Sequence, residues 1–243
     1  MTEAAERLAG ISARLEEVRG RIEARARRAG RDPSEITLVA VSKTHPASLV
    51  AQAIRAGATD LGENKVQEAA GKIDALNQDA ETRARWHLIG HLQSNKARRA
   101  VQLFDVIHTV DSVALVERLE RLCEEENRAD LRVLAQLSLA GEATKAGADV
   151  SELPSIVERA NACACVRLVG LMTMPPFSDE AEDARPYFRR LRELRDEWRA
   201  RGAFSSATGS GELSMGMSHD YEVAIEEGAT MVRVGTAIFG ARG

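Results

Sequence analysis

The chain has 243 residues, of which 44% are hydrophobic and 29% are charged, and its formal net charge is −4. This composition is typical of a folded globular protein, and it argues against a disordered chain and against a nucleic-acid binder that depends on bulk positive charge. No apolar run approaches the roughly 20 residues of a membrane-spanning helix. The polar N-terminus and the odd number of cysteines, three, predict a cytoplasmic protein without a signal peptide.

The predicted elements alternate between helices and short apolar strands. The first is an amphipathic helix at residues 3–29, because apolar residues recur there at intervals of three and four. A turn at 30–34 separates it from a strand over residues 36–41, and Pro46 then opens a helix that Gly57 closes. Further strands are predicted near 60–64, 85–90, 106–110, 132–139, 166–174, 205–209 and 231–235, with helices between them.

This alternation predicts the fold class. Strands that alternate with helices form βαβ units, and nearly continuous apolar strands are typical of a parallel sheet that is covered on both faces. Eight such units predict a (β/α)8 barrel, a TIM barrel, with an extra N-terminal helix, in a single domain of residues 1–243. A doubly wound open sheet is the alternative. The apolar pattern is weakest in the seventh strand, 205–209.

Barrels build their sites at the carboxyl ends of the strands, and this rule selects candidate residues. Lys43 directly follows the first strand, and Asn64 ends the second. An amine in apolar surroundings loses its proton more easily and becomes a nucleophile for Schiff-base chemistry. The alternative is a lysine that extends from the strand end into solvent. Other polar residues that the rule selects are Glu63, His87, His108, Asp111 and Thr173.

Two glycine-containing segments predict a phosphate site. Residues Gly209 to Ser214 are expected after the seventh strand, and Gly235 and Thr236 follow the eighth. Barrels often bind phosphate in these two loops through backbone N–H groups. Ordinary glycine turns are the alternative, and neither segment has the spacing of a dinucleotide-binding or Walker-type motif.

Arg233 lies within the apolar eighth strand, between Val232 and Val234. A buried cation needs an acceptor, because leaving it unpaired away from water is costly. A carboxylate partner and a ligand atom both remain possible as that acceptor.

The histidine and cysteine spacings do not predict a metal site. His87 and His91 are four residues apart, but Gly90 interrupts the helix that a zinc pair of this spacing needs. Cys163 and Cys165 are separated by one residue rather than the two of redox or zinc pairs, so we expect buried thiols.

Several short segments, in order along nearly the whole chain, carry a resemblance to a known family. They are 41–44 (VSKT), 62–68 (GENKVQE), 86–90 (WHLIG), 92–96 (LQSNK), 170–175 (GLMTMP), 213–218 (LSMGMS) and 231–240 (MVRVGTAIFG). Together they resemble the YggS/PROSC-type pyridoxal phosphate homeostasis proteins, whose fold is similar to the barrel domain of alanine racemase.

The resemblance implies that the barrel binds pyridoxal 5′-phosphate (PLP). The implied cofactor residues are Lys43 as the Schiff-base (aldimine) lysine, Asn64 on the pocket wall, Ser214, Gly235 and Thr236 at the phosphate, and Arg233 at the pyridine nitrogen. Lys145, after the fifth strand, matches a family lysine that would add a secondary contact. Residues His45, Lys65, His91 and Ser138 depart from the usual family pattern, and Lys65 would add a competing amine at the pocket rim.

Two functions are compatible with this resemblance: a PLP carrier and a racemase-like enzyme that acts on amino acids. A barrel-type racemase needs a second acid/base opposite the lysine, and we expect no further domain to supply it. Tyr187 and Tyr221 are the only phenols, and both are predicted on outer helices, although Tyr221 closely follows the 214–218 segment. Arg233 at the ring nitrogen would leave it unprotonated and weaken the ring as an electron sink.

We therefore expect a PLP-binding protein of vitamin B6 homeostasis without efficient amino-acid turnover. PLP-dependent apo-enzymes are the candidate recipients of the cofactor, and we expect a monomer with no metal, nucleic-acid or membrane partner. A barrel that binds another phosphorylated ligand is the third alternative.

Overall fold

Strands and helices alternate along the chain in a computed structural model of the protein. It describes residues 3–77, 79, 82–140, 147–205 and 211–240, with side chains from residue 10 onward. The predicted contact of Lys145 and the predicted turn at Gly209 lie outside the described residues.

The eight strands form one closed parallel barrel. The strands are β1 Thr37–Val41, β2 Asp60–Glu63, β3 Arg85–Leu88, β4 Val106–Val110, β5 Leu131–Leu137, β6 Val166–Thr173, β7 Glu212–Met217 and β8 Met231–Val234. Each pairs with its neighbour in sequence, and β8 pairs with β1 through Leu38↔Val232. The predicted TIM barrel is therefore confirmed, and an open sheet is excluded.

Helices surround this barrel, as the predicted βαβ units require. They are α1 Glu3–Arg28, α2 Ala47–Arg55, α3 Val66–Leu76, α4 Ala97–Leu103, α5 Val113–Glu125, α6 Leu153–Asn161, α7 Arg185–Ala200, α8 Tyr221–Glu226 and α9 Thr236–Phe239. Among these described helices, none has the length and apolarity needed to cross a bilayer.

The extra N-terminal helix, α1, packs through the predicted apolar stripe. Ile11, Leu15 and Val18 are at most 2% exposed. Arg14 Nε donates to the carbonyl of Ile238 at 2.6 Å, which ties α1 to α9. The helix therefore adds a layer to the outside of the barrel rather than a ninth βα unit.

The seventh strand was predicted at the wrong place. The observed β7 is Glu212–Met217, whereas the prediction placed the seventh strand at 205–209, of which residues 206–209 lie outside the described part of the chain. Its pattern contains a glutamate, a serine and Gly216, whose φ of +87° suits glycine, so it lacks the continuous apolar run of the other strands. Consequently Ser214 lies inside the strand, and the loop after β7 begins at Ser218.

The interior of the barrel is partly apolar and partly polar. Val106, Leu134, Val169 and Met172 form a small buried apolar cluster of their own. Polar side chains on the strands are also at most 3% exposed, among them Asp60, His87, His108, Ser214 and Arg233. Burying polar groups is costly unless they are hydrogen-bonded, so their contacts decide what the interior can do.

Candidate functional site

A cavity of about 580 Å³ opens at the carboxyl end of the barrel. Its volume is in the range of small-molecule sites. Five of the six predicted cofactor residues line it: Lys43, Asn64, Arg233, Gly235 and Thr236. The rule that barrel sites form at strand ends therefore selected residues that meet in space.

Lys43 is half-buried and lies two residues beyond Val41, where β1 ends. Behind it lies an ion cluster, the Lys72 cluster, formed by Ser42, Glu63, Glu68 and Lys72. Lys72 Nζ donates to the carbonyl of Ser42 at 2.7 Å and to Oε1 of Glu63 and of Glu68, both at 2.6 Å. Its three N–H groups thus each have an acceptor. Ser42 Oγ also donates to Glu63 Oε1 at 2.6 Å, so the residue before Lys43 is held by both backbone and side chain.

The residue after Lys43 is held by the same cluster. The backbone N–H of Thr44 donates to Oε1 of Glu68. Thr44 has a φ of +70°, which is unusual for a β-branched residue and costs about 1–3 kcal/mol. The Lys72 cluster therefore fixes the main chain on both sides of Lys43.

The carboxylates of this cluster differ in their environments. Burial raises the pKa of Glu63 above its usual value, although Lys72 and Ser42 act in the opposite direction. Burial also raises the pKa of Glu68, but its hydrogen bonds to Lys72 and Thr44 outweigh burial, and the net shift is downward. Glu63 is therefore the member whose charge depends most on Lys72.

Arg233 reaches the cavity from β8 and is 3% exposed. It donates to Oγ of Ser214 at 2.6 Å and to the carbonyl of Thr173 at 3.1 Å. Both acceptors are neutral, and within the described part of the chain no carboxylate forms an ion pair with this guanidinium. Burial lowers the pKa of Arg233 to about 10, which leaves it cationic at neutral pH, and the nearby Asp220 opposes this shift.

Ser214 does not line the cavity. Its hydroxyl is fully buried and lies between Arg233 and His108 Nδ1, at 2.6 and 2.8 Å. The serine of this segment that does line the cavity is Ser218, whose Oγ accepts a hydrogen bond from the backbone N–H of Gly235 at 3.1 Å. Sequence reasoning missed Ser218 because the misplaced seventh strand made Ser214 a loop residue.

Gly235 permits a close approach between β8 and β1. A Cβ atom at this position would lie 3.1 Å from the carbonyl oxygen of Val41, tighter than ordinary van der Waals contact. Ser218, Gly235 and Thr236 thus form a small polar corner of the cavity that Lys43 also lines.

The mouth of the cavity is apolar. Met174, Phe177 and Met217 are 40%, 85% and 37% exposed and line it. Neither tyrosine lines the cavity. Tyr221 is buried with its ring 5.6 Å from the guanidinium of Arg21 on α1, and Tyr187 lies on α7. Both phenols are therefore on the outer layer, as predicted.

The departures from the family pattern fall mostly outside the cavity wall. Lys65 is exposed and is not a lining residue, whereas His91 lines the rim. The ring of His45 stacks on Phe239, with centroids 5.2 Å apart. Lys65 therefore does not place the predicted competing amine in the cavity wall.

The fold and the cavity define a TIM-barrel protein that takes a small molecule at the carboxyl end of its strands. A sequence profile of the family "Alanine racemase, N-terminal domain" matches residues 14–243. The chain belongs to this family and, within it, to the pyridoxal phosphate homeostasis proteins.

Several curated relatives carry the name pyridoxal phosphate homeostasis protein. The one from Escherichia coli K12 is 42% identical over 96% of this chain and 97% of its own length. The one from Aquifex aeolicus is 40% identical over 94% of this chain and 97% of its own length.

Solved structures agree with these relatives. PipY of Synechococcus elongatus, solved with PLP bound, has a TM-score of 0.80 and 38% identity over 95% of this chain and all of its own. Alanine racemase from Bartonella henselae, at 14% identity and a TM-score of 0.66, shares the fold alone over 59% of its length.

Proposed function

We propose that this protein binds PLP in the cavity at the carboxyl end of the barrel and serves PLP homeostasis as a carrier. The observation that carries the proposal is the convergence of Lys43, Arg233 and the Ser218–Gly235–Thr236 corner on one cavity of about 580 Å³. A relative of 38% identity with PLP bound supports the choice of ligand.

The donor set of the cavity fits the chemistry of PLP. Lys43 offers an amine to the aldehyde, and Ser218 and Thr236 offer hydroxyl groups to the phosphate. Arg233 offers a charged N–H donor to the lone pair of the pyridine nitrogen, and Asn64 contributes a polar wall. When bound, PLP supplies a reactive aldehyde and an electron-withdrawing ring.

Each residue then has a defined task. Lys43 would hold the cofactor through its amine, and the aldehyde of PLP would supply a covalent link that water can reverse. The Lys72 cluster holds the main chain of Lys43 in place for this reaction. Arg233 keeps its proton at neutral pH, so it binds the ring nitrogen without protonating it.

We propose binding without efficient turnover of amino acids. Removing a proton from a bound amino acid and returning it on the other face needs a second acid/base opposite Lys43. Both phenols lie away from the cavity, and Arg233 weakens the ring as an electron sink. These two features favour a carrier over a racemase-like enzyme.

The remaining parts of the proposal concern the surroundings of the protein. We propose that residues 1–243 act as one PLP-binding domain, as a monomer in the cytoplasm, and that PLP-dependent apo-enzymes receive the cofactor. The three cysteines are unpaired thiols, which is compatible with a reducing compartment.

The test is a visible absorbance spectrum of the purified protein with added PLP. We expect a band of the lysine-bound cofactor in the wild type, bleached by borohydride and lost in Lys43→Ala. Lys65→Ala is the matched control and should keep the band, because Lys65 is exposed outside the cavity. A band that survives Lys43→Ala would assign the aldehyde to another lysine.

The same preparation decides between carrier and enzyme. We expect no stereospecific turnover of alanine or other common amino acids by the PLP-loaded protein. Turnover at ordinary enzyme rates that disappears in Lys43→Ala would replace the carrier with a racemase-like enzyme.

A further inference from the structure

A chain of hydrogen bonds crosses the interior of the barrel and ends at Arg233. It begins at Oδ1 of Asp60, 2.8 Å from Nε2 of His87, and Nδ1 of His87 lies 2.9 Å from Nε2 of His108. Nδ1 of His108 lies 2.8 Å from Oγ of Ser214, which accepts from Arg233 at 2.6 Å. All five residues are at most 3% exposed.

This chain connects the two ends of the barrel. Arg233 lines the carboxyl-end cavity, whereas Asp60 lines a second cavity of about 420 Å³ that also contacts Thr37 and Arg85. His108 on β4 and Ser214 on β7 come from strands that are not neighbours in the sheet, so they meet only through the interior. The contacts are thus a product of barrel closure rather than of strand pairing.

The direction of every hydrogen bond follows from the two ends. A guanidinium has donors only, and a carboxylate has acceptors only. If Asp60 accepts from Nε2–H of a neutral His87, then Nδ1 of His87 must accept from Nε2–H of His108. Nδ1 of His108 is then an acceptor for the hydroxyl of Ser214, whose oxygen accepts from Arg233. In this arrangement each donor meets one acceptor.

The reversed arrangement leaves a proton without a partner. An imidazolium at His87 would donate to His108, which would donate through Nδ1 to Ser214. Oγ of Ser214 would then receive two N–H groups, and its own proton would need a third neighbour, but the hydrogen bonds described for this hydroxyl reach only His108 and Arg233. Burial, with His87 and Arg233 nearby, also holds the pKa of His108 well below its usual value.

The acidic end is built to stay ionised. Asp60 accepts from His87 Nε2 at 2.8 Å, from Thr59 Oγ1 at 2.8 Å and from Arg85 Nη2 at 3.1 Å. Among the described residues, no group of three or more His, Cys, Asp or Glu side chains is arranged to hold a metal ion.

We propose that Asp60, His87, His108 and Ser214 form a positioning relay for Arg233, which fixes the orientation of its guanidinium through neutral contacts and leaves its positive charge to the ligand. We call these four residues the Arg233 relay. As far as it concerns the ring nitrogen of PLP, the proposal rests on the proposed function. Ser214 is then a positioning residue and not a phosphate ligand.

The first test needs neither PLP nor a variant protein. The chain has five histidines, so long-range ¹H–¹⁵N spectra of the protein without cofactor can resolve each imidazole. We expect His87 and His108 to be neutral at pH 7, both with the proton on Nε2. An imidazolium at His87, or a proton on Nδ1 of His108, would overturn the relay.

The second test asks whether the relay acts on the ring nitrogen. We expect Ser214→Ala to weaken binding of PLP about tenfold, and Ser214→Thr, which keeps the hydroxyl, to restore it to within about threefold of the wild type. Binding of 1-deaza-PLP, in which a C–H replaces the ring nitrogen, should change less than twofold in Ser214→Ala. Thr82→Val is the matched control, because Thr82 Oγ1 is also buried and hydrogen-bonded, to the carbonyl of Leu76, and both ligands should bind it as they bind the wild type.

The outcomes separate the two proposals. An equal loss of affinity for PLP and 1-deaza-PLP in Ser214→Ala would show that the relay does not act on the ring nitrogen. It would favour the original prediction that Ser214 binds the phosphate. Unchanged binding of both ligands in Ser214→Ala would show that the relay does not fix the orientation of the Arg233 guanidinium. A wild type that binds neither ligand would refute the proposed function, while the imidazole spectra would still decide whether the relay exists.

Discussion

The two charged residues of the cavity are held by opposite means. Lys43 is positioned through its main chain, because the Lys72 cluster binds the carbonyl of Ser42 and the N–H of Thr44 on either side of it. Arg233 is held by its own side chain, which donates to Ser214 and to the carbonyl of Thr173. The support of Lys43 is an ion cluster, whereas Arg233 contacts only neutral acceptor atoms.

This difference matches the roles that we propose for the two residues. In the proposed function, a lysine that forms and releases a covalent bond needs a fixed backbone, and the Lys72 cluster supplies it. An arginine that faces a ring nitrogen needs a fixed side chain whose charge is not neutralised. A carboxylate partner would have oriented Arg233 equally well, but it would have cancelled its charge.

The largest expected effect comes from breaking the ionic support. Lys72→Met leaves Glu63 buried without its counter-ion, so we expect a loss of about 3–5 kcal/mol in the free energy of unfolding. Urea unfolding measures this, and Lys65→Met, which changes an exposed lysine in the same segment, should change it by less than about 0.5 kcal/mol. Adding Glu63→Gln to Lys72→Met should recover part of the loss, and no recovery would contradict the assigned cause.

The next effect tests how closely the cavity wall is packed. A Cβ atom on Gly90 would lie 2.2 Å from the carbonyl oxygen of Asn64, so Gly90→Ala must displace this wall at a cost of about 1–3 kcal/mol. We expect PLP binding, followed by absorbance titration, to weaken about tenfold. Gly228→Ala is the control, because Gly228 has a φ of +100° and is strained by any side chain, but lies outside the cavity. A loss of PLP binding in both variants would mean that stability, not the wall, sets the affinity.

A third prediction concerns the acidic end of the Arg233 relay. Burial would raise the pKa of Asp60, but hydrogen bonds from His87 and Arg85 outweigh it and lower the pKa from 3.8 to about 2. Because the folded-state value is the lower one, this carboxylate stabilises the fold above pH 4, and the stabilisation fades as the pH falls toward 2. It amounts to at most about 2 kcal/mol, since solvent screens the half-exposed Arg85.

Asp60→Asn removes this titration and keeps an oxygen acceptor for His87. We expect the variant to be less stable than the wild type by up to about 2 kcal/mol at pH 7, with roughly half of that difference left at pH 3. Urea unfolding at pH 7, 4 and 3 measures the trend. A difference that stays constant across this range would show that Asp60 is not ionised at the end of the relay.

The smallest effect is expected at the rim of the cavity that Lys43 and Arg233 both line. Phe177 is 85% exposed, so Phe177→Ala should change the free energy of unfolding by less than about 0.5 kcal/mol. Thermal unfolding of the protein without cofactor checks this. A larger loss would show that the rim packs against the barrel more closely than its exposure indicates.

Sequence reasoning succeeded where a residue and its strand are adjacent in the chain. Lys43 directly follows an apolar run, and Arg233 lies within one, so the strand-end rule selected both. It failed at β7, where a glutamate, a serine and Gly216 conceal the strand, so it did not foresee that Ser218 lines the cavity and Ser214 does not. It also had no signal for Lys72, which looks like a surface residue of a helix until α3 packs against the barrel.

The sequence alone determined the order of strands and helices, the closed barrel that such an order favours, and a lysine and an arginine at its carboxyl end. Only the tertiary structure decided which serine reaches the cavity and which atoms accept hydrogen bonds from Arg233. Periodicity reports the environment of a residue relative to its neighbours in the chain. The contact between His108 and Ser214, 106 residues apart, exists because the sheet closes on itself, and no local pattern encodes that distance.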